Sequence, residues 1–130
     1  MAVKRTVLWA AGFALAAMLL AGSWLFVSKA YYPALPFEGV SKREALAKLA
    51  AGDGALVELA ARPGYRWLGF RGSQQKGRER IVEEMELRGY HYTHIDGAGI
   101  FFANPNRERA IVTGTNWTSK YVLYRVPEGV

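Results

Sequence analysis

Hydrophobic and polar positions follow one pattern at the start of the chain and two others further on. From Thr6 to Val27, TVLWAAGFALAAMLLAGSWLFV, 22 residues pass without a charge, which at 1.5 Å per residue is roughly 33 Å of helix, about the thickness of a bilayer's hydrocarbon core. Leu, Phe, Met and Trp occupy every side, so this helix has no polar face to turn to water. It reads as a transmembrane anchor over residues 6–27, preceded by a short N-terminus over 1–5. Trp9 and Trp24 stand near its ends, with Tyr31 and Tyr32 just beyond, where amphipathic rings settle at the membrane interface.

After a tether over residues 28–40, SKAYYPALPFEGV with its prolines and glycine, the spacing becomes helical. Ser41 and Glu44 have the capping-box spacing, and Ala45, Leu46, Leu49 and Ala50 give a one-sided helix that ends at Gly52-Asp53-Gly54. Residues 55–61 and 65–71 flank Arg62-Pro63-Gly64, a turn signal, and read as a hairpin. Leu, Glu and Ala in the first arm also suit a helix, so strand and helix both stay open there. From Gln74 to Arg88, Ile81, Val82 and Met85 share one side of a helix that Gly89 ends.

Four runs with strand composition follow: Tyr90 to Ile95, Gly99 to Ala103, Glu108 to Thr113 and Ser119 to Val126. Their short connections can join only antiparallel neighbours. The expected architecture is α+β: an N-terminal transmembrane helix, then an antiparallel sheet domain over residues 41–130 with one or two helices on one face.

Charge changes the topological picture more than the functional one. Of the 17 Lys and Arg in the 130-residue chain, which give it a net charge of +6, Lys4, Arg5 and Lys29 flank the apolar run. The remainder of the chain mixes both signs, as an ordinary domain does, and lacks the basic stripe of a nucleic-acid binder. Lys4 and Arg5 favour a cytoplasmic N-terminus with the domain outside, while Lys29, Lys42 and Arg43 oppose that bias. Ser28-Lys29-Ala30 offers a processing site, so secretion after cleavage following Ala30 is the competing fate, although the apolar run exceeds an ordinary signal core. Ala10 and Ala14, Gly12 and Ala16, and Ala17 and Ala21 have the four-residue spacing of close helix packing. The chain has no cysteine, which excludes a disulfide framework, a thiolate metal site and a lipid-modified cysteine.

Candidate chemistry is sparse. His91 and His94, with Asp96, are the obvious metal or acid-base residues, but in a regular strand positions three apart point to opposite faces. Glu79, Glu83, Glu84 and Glu86 lie among arginines and read as solvated ion pairs. Gly97-Ala98-Gly99 opens no helix that could hold a phosphate. No catalytic constellation, metal site or cofactor is implied. The one distinctive feature is aromatic residues interleaved with cations, Tyr65 to Arg71 and Lys120 to Arg125. These nominate a binding surface of Trp117, Asn116, Trp67, Arg66, Arg71, Tyr121 and Arg125, with Trp117 at a loop tip as its best member.

Arg88-Gly89-Tyr90, Gly97-Ala98-Gly99-Ile100-Phe101-Phe102 and Trp117-Thr118-Ser119-Lys120-Tyr121 together resemble the C-terminal half of small single-pass membrane proteins of unknown function from Gram-positive, spore-forming bacteria. The resemblance implies a bacterial cell-envelope setting and brings no activity with it. The expectation is a membrane-anchored module outside the cytoplasm that binds another envelope protein through an open sheet face or the Trp117 loop. A binder of glycan or lipid headgroups, an envelope enzyme using His91, His94 or Asp96, and a cytoplasmic nucleic-acid binder of reverse topology are the alternatives.

Overall fold

A computed structural model of the chain describes residues 2–29 and 31–129. Ala30, the residue of the possible cleavage, lies outside the described residues. The chain divides into two compact units, Met1–Tyr32 and Pro33–Val130.

The first unit is one helix, α1 (Ala2–Ser28), whose segment Lys4–Val27 is long and apolar enough to cross a membrane. Every described side chain from Lys4 to Val27 is exposed, including Trp9 at 74% and Phe13 at 80%. For so apolar a helix that exposure is unfavourable in water and natural in lipid.

The second unit contains α2 (Lys42–Gly52), β1 (Val57–Arg62), β2 (Tyr65–Arg71), α3 (Gln74–Glu86), β3 (His91–Asp96), β4 (Gly99–Ala103), β5 (Arg109–Asn116) and β6 (Tyr121–Pro127). The strands form one six-stranded antiparallel sheet in the order β1-β2-β6-β5-β4-β3. The fold is therefore α+β. A β1–β2 hairpin leads into α3, which carries the chain to the far edge of the sheet. The meander β3–β4–β5–β6 then returns until β6 pairs with β2.

Local chemistry sets the element boundaries. Ser41 Oγ accepts the Glu44 backbone N–H at 3.0 Å and caps α2, and Asp53 in the left-handed region stops it. Ser73 caps α3 in the same way through the Lys76 N–H. The β1–β2 turn needs Gly64 at φ +91 after Pro63, which matches the turn chemistry of that dipeptide. Residues 57–62 are strand rather than helix, with a bulge between Glu58 and Ala60. The bulge explains the ambiguous pattern there: Leu59 and Ala60 are consecutive in sequence and both buried, a departure from strict alternation.

The helices divide between the two faces instead of sharing one. In β2 the adjacent residues Gly69 and Phe70 point in opposite directions. A Cβ on Gly69 would lie 2.4 Å from Leu49 of α2, whereas a Cβ on Gly77 of α3 would lie 3.1 Å from Phe70. The main core forms under α3, where Ile81 and Met85 join Leu68, Phe70, Ile100, Phe102, Val112, Val122, Tyr124 and Val126. On the other face α2 covers only the β1–β2 side, burying Ala45, Leu49, Leu59 and Trp67. An amphipathic helix needs an apolar surface of its own, and a sheet of this width offers one on each side.

The segment after Pro33 belongs to this unit and is not a free tether. Phe37 is 8% exposed with its ring 5.3 Å from that of Trp67. The Arg62 guanidinium donates to the Glu38 carbonyl, and Trp117 Nε1 donates to the Pro33 carbonyl at 2.8 Å. Residues 33–40 thus form a strap held to the domain by two hydrogen bonds and an aromatic contact.

Candidate functional site

The residues nominated from aromatic and cationic interleaving do not form a single surface. Trp117 is 5% exposed and so is not displayed at a loop tip; its indole N–H holds the strap, and its ring lies 6.0 Å from Tyr121. Trp67 is buried between Phe37 and Tyr65. Alternation places Arg66 and Asn116 on the α3 face, and Trp67, Arg71, Tyr121 and Arg125 on the face that carries α2. Of the nominated residues Arg71, Asn116 and Arg125 are exposed, and the Arg125 guanidinium lies 4.7 Å above the Tyr65 ring. Strands place aromatics in cores as readily as on surfaces, so interleaving alone could not separate the two.

At the end of α1, Lys29 Nζ sits 4.1 Å above the Phe26 ring and 3.5 Å from the Tyr31 hydroxyl, and the rings of Tyr31 and Tyr32 are 4.9 Å apart. With exposed Trp9 and Trp24 nearer the two ends of the apolar segment, these side chains combine apolar bodies with polar tips, the chemistry of a membrane interface.

β3 overturns one argument about its histidines. A register shift between Tyr92 and His94 places both His91, opposite Ala103, and His94, opposite Phe101, on one face, with Asp96 opposite Gly99 beside them. His94 stacks on Phe101 with centroids 4.4 Å apart and planes 15° from parallel, and its Nδ1 is 3.0 Å from Thr93 Oγ1. Among the described residues, no group of three or more His, Cys, Asp or Glu is placed to hold a metal ion.

Two surface features stand out. On the α2-bearing face, α2 lies over β1 and β2 and, among the described residues of this unit, neither helix lies over the half of the sheet beyond β6. Phe101 is half-buried there and Ile111 is 45% exposed, and the neighbouring edge strand β3 is exposed at each of its residues. The other feature is a concave groove of about 730 Å³ where the end of β2, the start of α3, the α2–β1 loop and the β5–β6 loop meet. Arg71, Lys76, Arg80 and Lys120 line it, with Asp53 and Glu79 as its carboxylates. The Gly72 N–H donates to the Lys120 carbonyl at 2.8 Å and fixes the β5–β6 loop against the end of β2. Arg80 is held by Glu83 at 2.9 Å and by the Gly54 carbonyl. Only Arg71 among these cations was nominated from the sequence, because residues 71, 76 and 120 meet through tertiary structure and have no local motif.

No protein-family model matches the chain, and neither a curated protein nor a solved structure shows significant similarity to it.

Proposed function

We propose that this chain is a membrane-anchored interaction module of the bacterial cell envelope, with its N-terminus in the cytoplasm and its α+β domain outside, acting by binding rather than catalysis. The observation that carries the reading is the uncovered half of the sheet around Phe101 and Ile111, next to the free edge of β3. α3 packs against the opposite face and α2 covers the β1–β2 side, so this half, where Phe101 and Ile111 lie among His91, His94 and Asp96, is the surface left for another chain. The fitting partner is an envelope protein that lays an extended segment along β3, taking main-chain hydrogen bonds from its outer edge and side-chain contacts from the adjacent face. Lys4 and Arg5 before the apolar helix support the orientation, and the resemblance to small single-pass membrane proteins of unknown function from Gram-positive, spore-forming bacteria supports the setting.

The test is site-specific photocrosslinking of the full-length chain in membranes. A crosslinker at Ile111 should capture a discrete partner, and one at the exposed Leu87 should not. Added protease should reach the domain in spheroplasts. A domain protected in intact spheroplasts and cleaved only after lysis would overturn the orientation, and equal capture from both positions would overturn the surface.

A further inference from the structure

The groove beside the start of α3 has a chemistry that the partner surface does not use, and it lies away from Phe101 and Ile111. Arg71 comes from the end of β2, Lys76 and Arg80 from α3, and Lys120 from the β5–β6 loop. All four line one concavity. Arg80 is neutralised by Glu83, while Arg71, Lys76 and Lys120 have no carboxylate within ion-pair distance among the described residues. Asp53 and Glu79 line the same groove, so the three cations without an ion pair face two carboxylates and leave an excess of one positive charge. Like charges held together on three separate elements repel one another unless an anion enters.

We propose that this groove is a binding site for a phosphate ester, with Arg71, Lys76 and Lys120 as its charge-bearing ligands. A phosphate ester carries about −1.5 to −2 at neutral pH and presents several strong acceptor oxygens, enough to be shared among the three free cationic side chains. Arg71 supplies the planar fork that can grip two oxygens, and the lysines act as mobile point charges. Ser73, Ser119 and Phe70 complete the lining with two hydroxyls and an apolar side chain. A volume of about 730 Å³ exceeds what a phosphate alone fills and accommodates an organic remainder. That remainder belongs either to a soluble phosphate ester or to a phospholipid headgroup.

Full-length chain in phosphatidylcholine nanodiscs, titrated with pyrophosphate by calorimetry at low ionic strength, tests the site. Saturable binding at one site is expected, with at least tenfold weakening in Lys76→Gln/Lys120→Gln and retention in Lys120→Arg. Arg107→Gln, at an exposed cation on the β4–β5 loop outside the groove, should bind as the parent does. These side chains are all exposed, so the variants should unfold at the parent's temperature. Nanodiscs containing phosphatidylglycerol separate the sources: weakened pyrophosphate binding supports the site with a headgroup as its occupant, and unchanged binding supports it with a soluble ester. Absence of saturation, or equal loss in Arg107→Gln, would overturn the proposal.

Discussion

The indole N–H of Trp117 donates to the carbonyl of Pro33 at 2.8 Å, joining the loop between β5 and β6 to a residue 84 positions earlier in the chain. With Phe37 seated beside Trp67, this bond makes residues 33–40 part of the domain. Trp117→Phe keeps most of the ring and removes the donor, and Pro33 is exposed enough for water to replace it, so the cost should be about 1 kcal/mol. Trp117→Ala also removes a buried ring and should cost about 3–5 kcal/mol. Chemical denaturation measures both, and chymotrypsin should cut after Phe37 sooner in each variant than in the parent. Unchanged cleavage at Phe37 would mean that the strap is held without Trp117.

Gly77 and Tyr124 should be energetically coupled. A Cβ on Gly77 would lie 2.3 Å from the Tyr124 hydroxyl, closer than any real contact. Replacing glycine by alanine in an open helix gains up to about 1 kcal/mol, but here overpacking reverses the sign and Gly77→Ala should destabilise by about 1–3 kcal/mol. Among the described residues the buried Tyr124 hydroxyl has no hydrogen-bond partner, so Tyr124→Phe should be neutral or slightly stabilising. Alanine at 77 should be tolerated better once the hydroxyl is gone. A double-mutant cycle by denaturant unfolding should give an interaction of at least about 0.5 kcal/mol, and strict additivity would show that α3 shifts to absorb the methyl group.

What was legible in the sequence depended on the range of the interactions. The apolar helix, the Ser41 cap, the Pro63-Gly64 turn and the antiparallel meander rest on residues a few positions apart, and each is present in the structure. The division of the helices between two faces is set by Gly69 accepting Leu49 and Gly77 accepting Tyr124, contacts between residues 20 and 47 positions apart. The same holds for Trp117, whose flanking Asn116 and Thr118 suggest a display loop while its partner lies at Pro33. The bulge at Thr93 has no residue signature, and it reverses the facing of His91 relative to His94. The cationic groove was the least legible feature, since its members are dispersed over positions 71 to 120.

Alkaline pH should weaken the domain through Tyr124. Burial pushes its phenol up to about 12 from an ordinary value of 10.0, with the Arg78 charge partly opposing the shift. A raised folded-state value means that the native chain holds this proton more tightly than the unfolded chain does. The contribution is fully present below pH 10 and is lost progressively as pH rises toward 12. At about 1.4 kcal/mol per unit, the loss amounts to roughly 2–3 kcal/mol. Other groups titrate in the same range, so the informative quantity is the stability of the parent minus that of Tyr124→Phe. That difference should move against the parent between pH 10 and 12, and a flat difference would show that the phenolate reaches water without unfolding.

Ile111 and Val112 are neighbours in β5 with opposite environments, the first 45% exposed and the second wholly buried under α3. Alternation along the strand makes them a matched pair for separating binding from folding. Val112→Asp places a carboxylate among Phe102, Ile100 and Tyr124, where an unpaired charge costs several kcal/mol, and should abolish cooperative unfolding. Ile111→Asp leaves its carboxylate in water and should change stability by no more than about 1 kcal/mol. If the uncovered half of the sheet receives a partner, Ile111→Asp should also suppress capture by a photocrosslinker placed at Phe101, because a charge at the centre of an apolar contact must be desolvated when the partner docks. A folded Ile111→Asp protein that still crosslinks with the parent's yield would move the partner surface elsewhere on the domain.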